Sequence, residues 1–271
     1  MGKFDGILIC SDLDHTLAAH SRAGYMEPSF SQKDVEAIRY FQSEGGYFTV
    51  ISGRHPSVVR ELMGDAVVSN APIGGYNGAL LQNTDGTPFY SGGTKGDSMI
   101  RLAQKLWDSD LGLCFLSLHI SGRRTLKCSR LEEGEEFFDQ PLDMQRMLPF
   151  DTYNMVLSVA EGQGATLCRR VQRFLDDTLT YTRPVERTVE ISLREDTKGA
   201  ALLRIKKAVG ARLTVAMGDY ENDIEMLRAS DIGYAVGNAC KALKDVADRV
   251  TVPCTEGAAA AVIAELEKEY T

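Results

Sequence analysis

The sequence lacks several features that mark special classes of protein. No apolar run approaches the length of a bilayer-spanning helix, and no stretch is of low complexity. The first residues, MGKFDG, have no signal-peptide core and no Ser or Thr at the sixth position, which a myristoylation site requires. We therefore expect a soluble, cytoplasmic protein that does not bind a membrane.

Positive charge and paired cysteines are also scarce. Lys plus Arg number 30 against 38 Asp plus Glu, and the resulting net charge of -8 disfavours a protein that binds nucleic acid. The six cysteines form no CxxC pair and are typical of reduced core residues rather than a zinc or disulfide framework. With 271 residues, the chain is long enough for one large domain or two ordinary domains.

What the sequence does contain, over residues 6–72, is an alternation of strand and helix patterns. The segment GILICSD predicts a strand, a helix follows from about Gln32 to Glu44, YFTVIS predicts a second strand, and another helix begins near Pro56. Ser31 is the predicted N-cap of the first helix, with Asp34 three residues later completing the capping pattern. This order predicts βαβ units and a parallel sheet.

The middle of the chain has a different, antiparallel pattern. GALLQNTDGTPFY and LCFLSLHISGRRTLKC predict hairpins that turn at Asp85-Gly86 and at Ser121-Gly122. Helices are predicted near Ser98 to Trp107 and from Ala165 to Asp176, and strands at YNMVLSV, LTYTR and RTVEISL. The parallel pattern resumes after Lys198. We therefore predict an α/β protein with a core of residues 1–79 and 194–271 and an inserted α+β region of residues 80–193.

Polar motifs follow three of the predicted core strands, and Lys198 stands where the core resumes. They comprise Asp12, Asp14 and Thr16; Ser52-Gly53-Arg54; and Gly218-Asp219 with Asn222-Asp223. Because ligands of parallel sheets bind at the carboxyl ends of the strands, we expect these motifs to converge at one edge. If the strand geometry continues past Ser11, Asp12 and Asp14 project from the same face.

Each motif has a chemical interpretation. Asp12, Asp14, Asp219 and Asp223 offer hard oxygen ligands suited to Mg²⁺. Ser52 and the backbone N–H of Gly53, expected at a helix N-terminus, suit an anion, and Lys198 supplies a mobile positive charge.

Each motif also has a purely structural interpretation. The SGR segment and Asp14 with Thr16 can cap helices or build turns, Lys198 can be a solvated surface residue, and GDYEND can be ordinary turn chemistry. Four unrelated caps, however, do not explain why every motif stands beside a core strand in this order. Their joint occurrence favours a phosphate-handling site.

Together these motifs resemble those of a known superfamily. DLDHT at 12–16, SGR at 52–54, Lys198 and GDYEND at 218–223 are similar to the four signature motifs of the haloacid dehalogenase (HAD) superfamily. The inserted region resembles the class IIB cap of its Cof-type sugar-phosphatase branch, as do YNGALL at 76–81 and DTKGAALL around Lys198. The resemblance implies a Rossmann-like parallel sheet core with an inserted cap that sets substrate specificity. His15 departs from the pattern, since the family usually has Gly there, and is otherwise interpreted, like His55, as a solvent-facing loop residue.

The resemblance also implies roles for individual residues in a Mg²⁺-dependent phosphatase that acts on a small phosphorylated metabolite, expected to be a sugar phosphate. Asp12 is the expected nucleophile, Asp14 the acid and base, and Lys198 the residue that neutralises charge. The expected metal ligands are Asp12, the backbone carbonyl of Asp14, and Asp219, with Asp223 orienting Lys198 or a metal-bound water. The expected phosphate or substrate contacts are Thr16, Ser52, Gly53, Arg54, Asn77 and Asn222.

Two other functions remain open on the sequence. A phosphomutase would share the core residues but would have to retain and reorient a bisphosphorylated intermediate. A non-catalytic domain that binds a phosphorylated ligand would share the fold, because fold does not determine function. The intact set of acids with Lys198 favours an enzyme.

Overall fold

The structure is a computed structural model in which residues 2–20, 28–95, 98–121, 124–129 and 151–270 are described. The chain divides into two compact units, Met1–Tyr90 with Thr197–Thr271, and Ser91–Asp196. The predicted start of the insertion at residue 80 therefore falls inside the first unit. The reason is local, since the strand that begins at Leu80 pairs with the strand Ile73–Gly75 of that unit.

The described residues form strands and helices that are numbered here in chain order. The strands are β1 (Ile7–Ser11), β2 (Ala18–His20), β3 (Pro28–Phe30), β4 (Tyr47–Val50), β5 (Ile73–Gly75), β6 (Leu80–Gln82), β7 (Pro88–Ser91), β8 (Leu113–Ile120), β9 (Arg124–Ser129), β10 (Thr152–Val159), β11 (Leu179–Val185), β12 (Thr188–Leu193), β13 (Leu213–Gly218), β14 (Ile232–Ala235) and β15 (Arg249–Val250). The helices are α1 (Gln32–Ser43), α2 (Pro56–Met63), α3 (Ser98–Trp107), α4 (Gly164–Val171), α5 (Lys198–Val209), α6 (Ile224–Ala229), α7 (Lys241–Lys244) and α8 (Ala258–Tyr270).

The first unit is built on a five-stranded sheet in the order β15-β14-β13-β1-β4. All four pairings are parallel, and the interior strand β1 pairs with β13 on one side and β4 on the other. The side chains of Ile7, Leu8, Ile9 and Cys10 are fully buried, as the apolar run of a parallel strand covered on both faces requires. The predicted α/β fold with a parallel sheet core is confirmed.

Helix α1 confirms its predicted start but not its predicted capping. Ser31 occupies the N-cap position with extended backbone, yet its side chain makes no capping hydrogen bond. Asp34 is fully buried and instead accepts a hydrogen bond from the backbone N–H of Ala260, at 2.8 Å. Its carboxylate thus serves the first turn of α8 rather than its own helix. The predicted capping was wrong because α8, a helix distant in sequence, offers a backbone N–H from which the Asp34 carboxylate accepts instead.

The buried carboxyl of Asp34 gives a testable effect on stability. Burial raises its pKa to about 6, above that of an exposed Asp. The stabilisation that protonated Asp34 provides is therefore present below about pH 4 and is lost as the pH rises through 6. Relative to Asp34→Asn, which does not titrate, the wild type should lose about 1–3 kcal/mol of unfolding free energy between pH 4 and pH 7. Urea unfolding of both proteins across this range measures the difference.

Exposed Asp65 provides the matched control, because Asp65→Asn should leave the pH dependence of wild-type stability unchanged. If Asp34→Asn and the wild type show the same pH dependence, the Asp34 carboxyl titrates normally in the folded protein and the assignment is wrong.

The second unit is an antiparallel sheet in the order β11-β12-β10-β8-β9. Both predicted hairpin strands of LCFLSLHISGRRTLKC pair antiparallel as β8 and β9, although Gly122 of the predicted turn lies outside the described residues. Helix α3 has the predicted bounds, whereas the helix predicted over 165–176 is α4 followed by a 3-10 turn at Gln172–Phe174. The core of this unit includes Leu106, Leu118, Leu157 and Val171. The predicted α+β character is confirmed.

A membrane-crossing helix would have to be both long and apolar. Among the helices in the described ranges, none meets both conditions.

Candidate active site

The predicted motifs of the first unit follow the carboxyl ends of three neighbouring strands of its sheet, β13, β1 and β4. Asp12 follows β1 directly, and its backbone N–H donates to the carbonyl of Met217 in β13 at 2.9 Å. Asp219 follows β13, and Ser52 follows β4 after Ile51. The convergence expected from the strand order is therefore present in the structure.

Lys198 connects two of the carboxylates. As the first residue of α5, after the N-cap Thr197, it has a fully buried side chain whose Nζ donates to Asp12 Oδ1 and to Asp223 Oδ1, each at 2.7 Å. A buried ammonium group is tolerated only with such partners. The interpretation of Lys198 as a solvated surface residue is excluded, and the lysine holds the carboxylates of two motifs together.

A turn after β13 orients Asp223. Its Oδ2 accepts hydrogen bonds from the backbone N–H groups of Asp219 at 2.9 Å and Tyr220 at 3.2 Å, while Oδ1 accepts from Lys198. Gly218 is needed at the end of the strand, because a Cβ there would lie 2.4 Å from the Cβ of Asp223. The GDYEND segment therefore forms a turn that also holds the Asp223 carboxylate against Lys198.

The carboxylates of Asp12, Asp219 and Asp223 each offer an oxygen within 4.8 Å of the others. Burial raises the pKa of Asp12 to about 7, although Lys198 opposes this, and burial together with Asp12 raises the pKa of Asp219 to about 8. Burial also lowers the pKa of Lys198, but Asp12 and Asp223 outweigh it and raise the pKa above its usual value. One buried ammonium does not neutralise three carboxylates, so this donor set fits a hard divalent cation such as Mg²⁺.

The Asp14 carboxylate contacts two residues outside this cluster, Arg54 and His20. Strand β1 ends at Ser11, so the alternation that would place Asp12 and Asp14 on one face does not continue. Arg54 binds Asp14 in a fork, with Nε 2.8 Å from Oδ2 and Nη2 2.8 Å from Oδ1, and His20 Nε2 lies 2.6 Å from Oδ1. Burial raises the pKa of Asp14, but Arg54 and His20 lower it more, so it lies below the usual value.

His15 occupies a backbone conformation that favours glycine. Its φ is 61°, in the left-handed region, which accounts physically for the Gly that usually stands at this position of the motif. Its N–H donates to the carbonyl of Ala18 at 2.8 Å, and its own carbonyl accepts from Asn238 Nδ2 at 2.8 Å. Asn238 also accepts from the N–H of Cys254 at 2.9 Å. These contacts hold the loop in its conformation despite the Cβ of His15.

The residues predicted to hold phosphate lie around this loop. Thr16 is fully buried and its hydroxyl donates to Asp219 Oδ1 at 3.3 Å. Ser52 is also buried and its Oγ accepts from the N–H of Arg54 at 3.2 Å. Gly53 does not lie at a helix N-terminus as predicted, because α2 begins at Pro56.

The N-cap of α2 is His55, and this replaces the interpretation of His55 as an ordinary loop residue. Its Nδ1 accepts from the N–H of Ser57 at 3.0 Å, and its ring meets the Tyr76 ring edge to face at a centroid distance of 5.5 Å. Pro56, the first residue of the helix, has no backbone N–H. The N–H of Ser57 is therefore the first in the helix that needs an acceptor, and His55 supplies it.

Two predicted polar residues from distant motifs contact each other. Asn77 is buried in the left-handed region with φ 54°, and its N–H donates to the carbonyl of Ser52 at 2.9 Å. Asn222 Nδ2 donates to Asn77 Oδ1 at 3.4 Å. Each predicted site residue of the core therefore lies in this region of the first unit.

Sequence reasoning missed two residues that hold the site. His20 reaches Asp14 from β2, and Asn238 holds the carbonyl of His15 from the loop after β14. The strands β2 and β3 have three residues each and carry no periodic signal, so His20 could not be placed. In the sequence, Asn238 indicates only a turn and does not reveal its contact with His15.

Comparison with known proteins identifies the family. The family model of haloacid dehalogenase-like hydrolases matches residues 9–263. Phosphatase YwpJ of Bacillus subtilis is 26% identical over 226 residues, which cover 82% of this chain and 65% of that protein, just under two thirds of its length. Phosphoglycolate phosphatase 2 of Saccharolobus solfataricus is 25% identical over 248 residues, covering 90% of this chain and 85% of that protein.

Solved structures support the same conclusion at the level of the fold. The structure of the HAD subclass IIB sugar phosphatase BT4131 superposes with a TM-score of 0.73 at 20% identity, covering 96% of this chain and 98% of that chain. The resemblance of the motifs to this superfamily is confirmed. This chain belongs to the haloacid dehalogenase-like hydrolases.

Proposed function

We propose that the protein is a Mg²⁺-dependent phosphatase that hydrolyses a small phosphorylated metabolite, a sugar phosphate, through an aspartyl-phosphate intermediate. The observation that carries the proposal is the buried Asp12 carboxylate, which Lys198 holds at 2.7 Å within the cluster of Asp219 and Asp223. A carboxylate in this setting is oriented and charge-compensated, as a nucleophile that meets a phosphate dianion requires.

In the first step Asp12 attacks phosphorus. A bond forms between a carboxylate oxygen of Asp12 and phosphorus while the bond to the alcohol oxygen breaks, and Asp14 gives its proton to that oxygen. Lys198 compensates charge on the nucleophile and on the phosphoryl oxygens. The Thr16 and Ser52 hydroxyls and the Gly53 N–H are the donors that would hold those oxygens, with Asn222 beside them.

In the second step water attacks the phosphorus of the aspartyl phosphate, Asp14 takes the water proton, and the bond to Asp12 breaks to release inorganic phosphate. The low pKa that Arg54 and His20 give to Asp14 suits this step, because the group must be ionised to act as a base. The first step requires that Asp14 carry a proton when the ester is bound.

The acidic cluster provides the metal site in this proposal. Asp12, Asp219 and the backbone carbonyl of Asp14 would hold Mg²⁺, with Asp223 positioned by Lys198 and the turn to orient a water in its shell. The ion supplies charge that offsets the repulsion between the Asp12 carboxylate and the phosphate dianion.

The substrate class is the least specific part of the proposal. One relative is named for phosphoglycolate and one structural neighbour for sugar phosphates, so small phosphate monoesters are the common class. Arg54 and Asn77 are the core side chains proposed to contact the leaving group. The specificity role of the inserted region stays a prediction.

A screen of phosphorylated metabolites tests the function. We expect the purified protein with Mg²⁺ to release inorganic phosphate from sugar phosphates faster than from phosphoglycolate or nucleotides. Asp65→Asn should release phosphate at the wild-type rate, since Asp65 is exposed and outside the site. Interconversion of hexose phosphates without net phosphate release would instead identify a phosphomutase. Binding of phosphorylated ligands with no turnover of any would identify a non-catalytic domain.

A further inference from the structure

A loop outside the signature motifs contacts the backbone of two of them. Residues 236–240, called here the β14 loop, connect β14 to α7. In this loop Asn238 Nδ2 donates to the backbone carbonyl of His15 at 2.8 Å, and the N–H of Cys240 donates to the backbone carbonyl of Asp219 at 2.8 Å. The β14 loop therefore connects the backbone of DLDHT to the backbone of GDYEND.

The β14 loop is itself held on both sides of the Asn238 amide. Asn238 Oδ1 accepts from the N–H of Cys254 at 2.9 Å, and the N–H of Gly237 donates to the carbonyl of Val252 at 3.1 Å. The carbonyl of Gly237 accepts from Lys244 Nζ at 2.6 Å. Because these contacts fix the loop, the Nδ2 group of Asn238 is presented to His15 in one orientation.

The contact at His15 acts on a backbone conformation that is unfavourable for a residue with a Cβ. His15 has φ 61°, in the left-handed region. Its N–H donates to the carbonyl of Ala18, which fixes the planar peptide group between Asp14 and His15. Asn238 fixes the next peptide group, between His15 and Thr16. Without the contact to Asn238, His15 would relax toward negative φ and turn one peptide plane against the other.

Both peptide groups lead to groups of the proposed metal site. The first contains the carbonyl of Asp14, a proposed Mg²⁺ ligand, and the second precedes Thr16, whose hydroxyl donates to Asp219 Oδ1 at 3.3 Å. The Asp219 carboxylate is another proposed ligand, and the N–H of Cys240 fixes its backbone. Mg²⁺ demands near-octahedral ligands at about 2.1 Å, so a small change in ligand spacing weakens its binding.

We propose that Asn238 is a positioning residue for the Mg²⁺ site: its amide holds the His15 carbonyl and thereby keeps the Asp14 carbonyl at the spacing from Asp219 that one ion requires. The inference rests on the proposed function, in which these groups hold Mg²⁺, and it adds a residue outside the signature motifs to that site. Asn238 is not a metal ligand in this proposal, because its amide oxygen accepts from Cys254 and its nitrogen donates to His15.

Asn70 offers a matched control in the same unit. Its Nδ2 donates to the carbonyl of Gly46 at 2.9 Å, and its Oδ1 accepts from the N–H of Phe48 at 2.8 Å. Both asparagines have exposed side chains that join two backbone segments through the same pair of hydrogen bonds. Asn70, however, contacts the amino end of β4, whereas the candidate site follows the carboxyl ends of the strands.

The test measures the affinity for Mg²⁺ itself, by calorimetric titration of the EDTA-treated protein. We expect Asn238→Ala to raise the Kd of Mg²⁺ about fivefold, the effect of losing one hydrogen bond that favours the bound geometry. The Mg²⁺ concentration for half-maximal phosphate release should rise by the same factor. Asn70→Ala should lower the melting temperature in EDTA about as much as Asn238→Ala does, but its Kd should stay within about twofold of the wild-type value. An unchanged Kd in Asn238→Ala, or an equal rise in both variants, would overturn the proposal.

A second measurement tests whether Asn238 acts through the conformation of His15. Glycine adopts positive φ about as readily as negative φ, so His15→Gly removes most of the need for the hydrogen bond. In the His15→Gly background, adding Asn238→Ala should raise the Kd of Mg²⁺ less than about twofold. The same rise as in the wild-type background would contradict the proposal. A wild type that binds no Mg²⁺ would refute the metal site of the proposed function and this inference with it, whereas Mg²⁺ binding that is insensitive to Asn238 would refute the inference alone.

Discussion

Asp12→Asn should lower the phosphatase kcat at least about a thousandfold while leaving the fold intact. The amide has no negative charge with which to attack phosphorus, so no aspartyl phosphate forms. The surroundings should tolerate the change, because Lys198 keeps its 2.7 Å contact with Asp223 and the amide oxygen can still accept from Lys198. Burial already disfavours the ionised form of Asp12, so the neutral amide removes a desolvation cost. Steady-state kinetics and thermal unfolding measure the two expectations.

The matched control is Asp65→Asn, an identical chemical change at an exposed position of the same unit. It should retain the wild-type kcat. A folded Asp12→Asn protein with near-wild-type turnover would remove Asp12 as the nucleophile. An Asp12→Asn protein that no longer unfolds cooperatively would contradict the expectation that its neighbours tolerate the amide.

Removal of divalent metal should abolish turnover, and Mg²⁺ should restore it. The carboxylates of Asp12, Asp219 and Asp223 lie within 4.8 Å of one another with one buried ammonium among them, so their mutual repulsion is relieved by a bound cation. The same argument predicts a change that does not depend on activity. At a concentration one hundred times its Kd, Mg²⁺ should raise the free energy of unfolding by about 2.7 kcal/mol. Thermal unfolding with EDTA and with increasing Mg²⁺ measures it.

Asp219→Asn provides the control for metal binding, since it removes one charged ligand and leaves Lys198 with both partners. Its melting temperature should respond much less to Mg²⁺ than that of the wild type. Full turnover by a protein freed of metal, together with a melting temperature that Mg²⁺ does not change, would exclude the proposed site.

Much of the core could be predicted because its signals are local. The apolar run of β1, the start of α1 and the position of Lys198 where the core resumes all follow from residue type and spacing. The rule that parallel strands gather their ligands at one edge then brought the distant motifs together. Position along the chain was therefore enough to predict that these motifs lie close together.

The sequence could not predict the contacts that decide which way a side chain turns. Asp34 caps α8 rather than its own helix, and Asp14 contacts Arg54 and His20. Both outcomes depend on partners that only the folded chain presents. Tertiary contacts override a local capping or alternation pattern whenever they offer a stronger donor.

The pairing of β1 with β13 also has a consequence for the order of folding. The buried contact between Asp12 and Lys198 joins residues 186 positions apart, and Ile7 of β1 pairs with Leu213. Closing so long a loop carries an entropic cost that only the completed sheet offsets, and contacts of this range slow folding. During synthesis β1 can pair with β4 early, but its other edge stays open until the last third of the chain has emerged. An unpaired strand edge of this kind can pair with the wrong segment. The chain is therefore at risk of misfolding if it collapses before β13 has been synthesised.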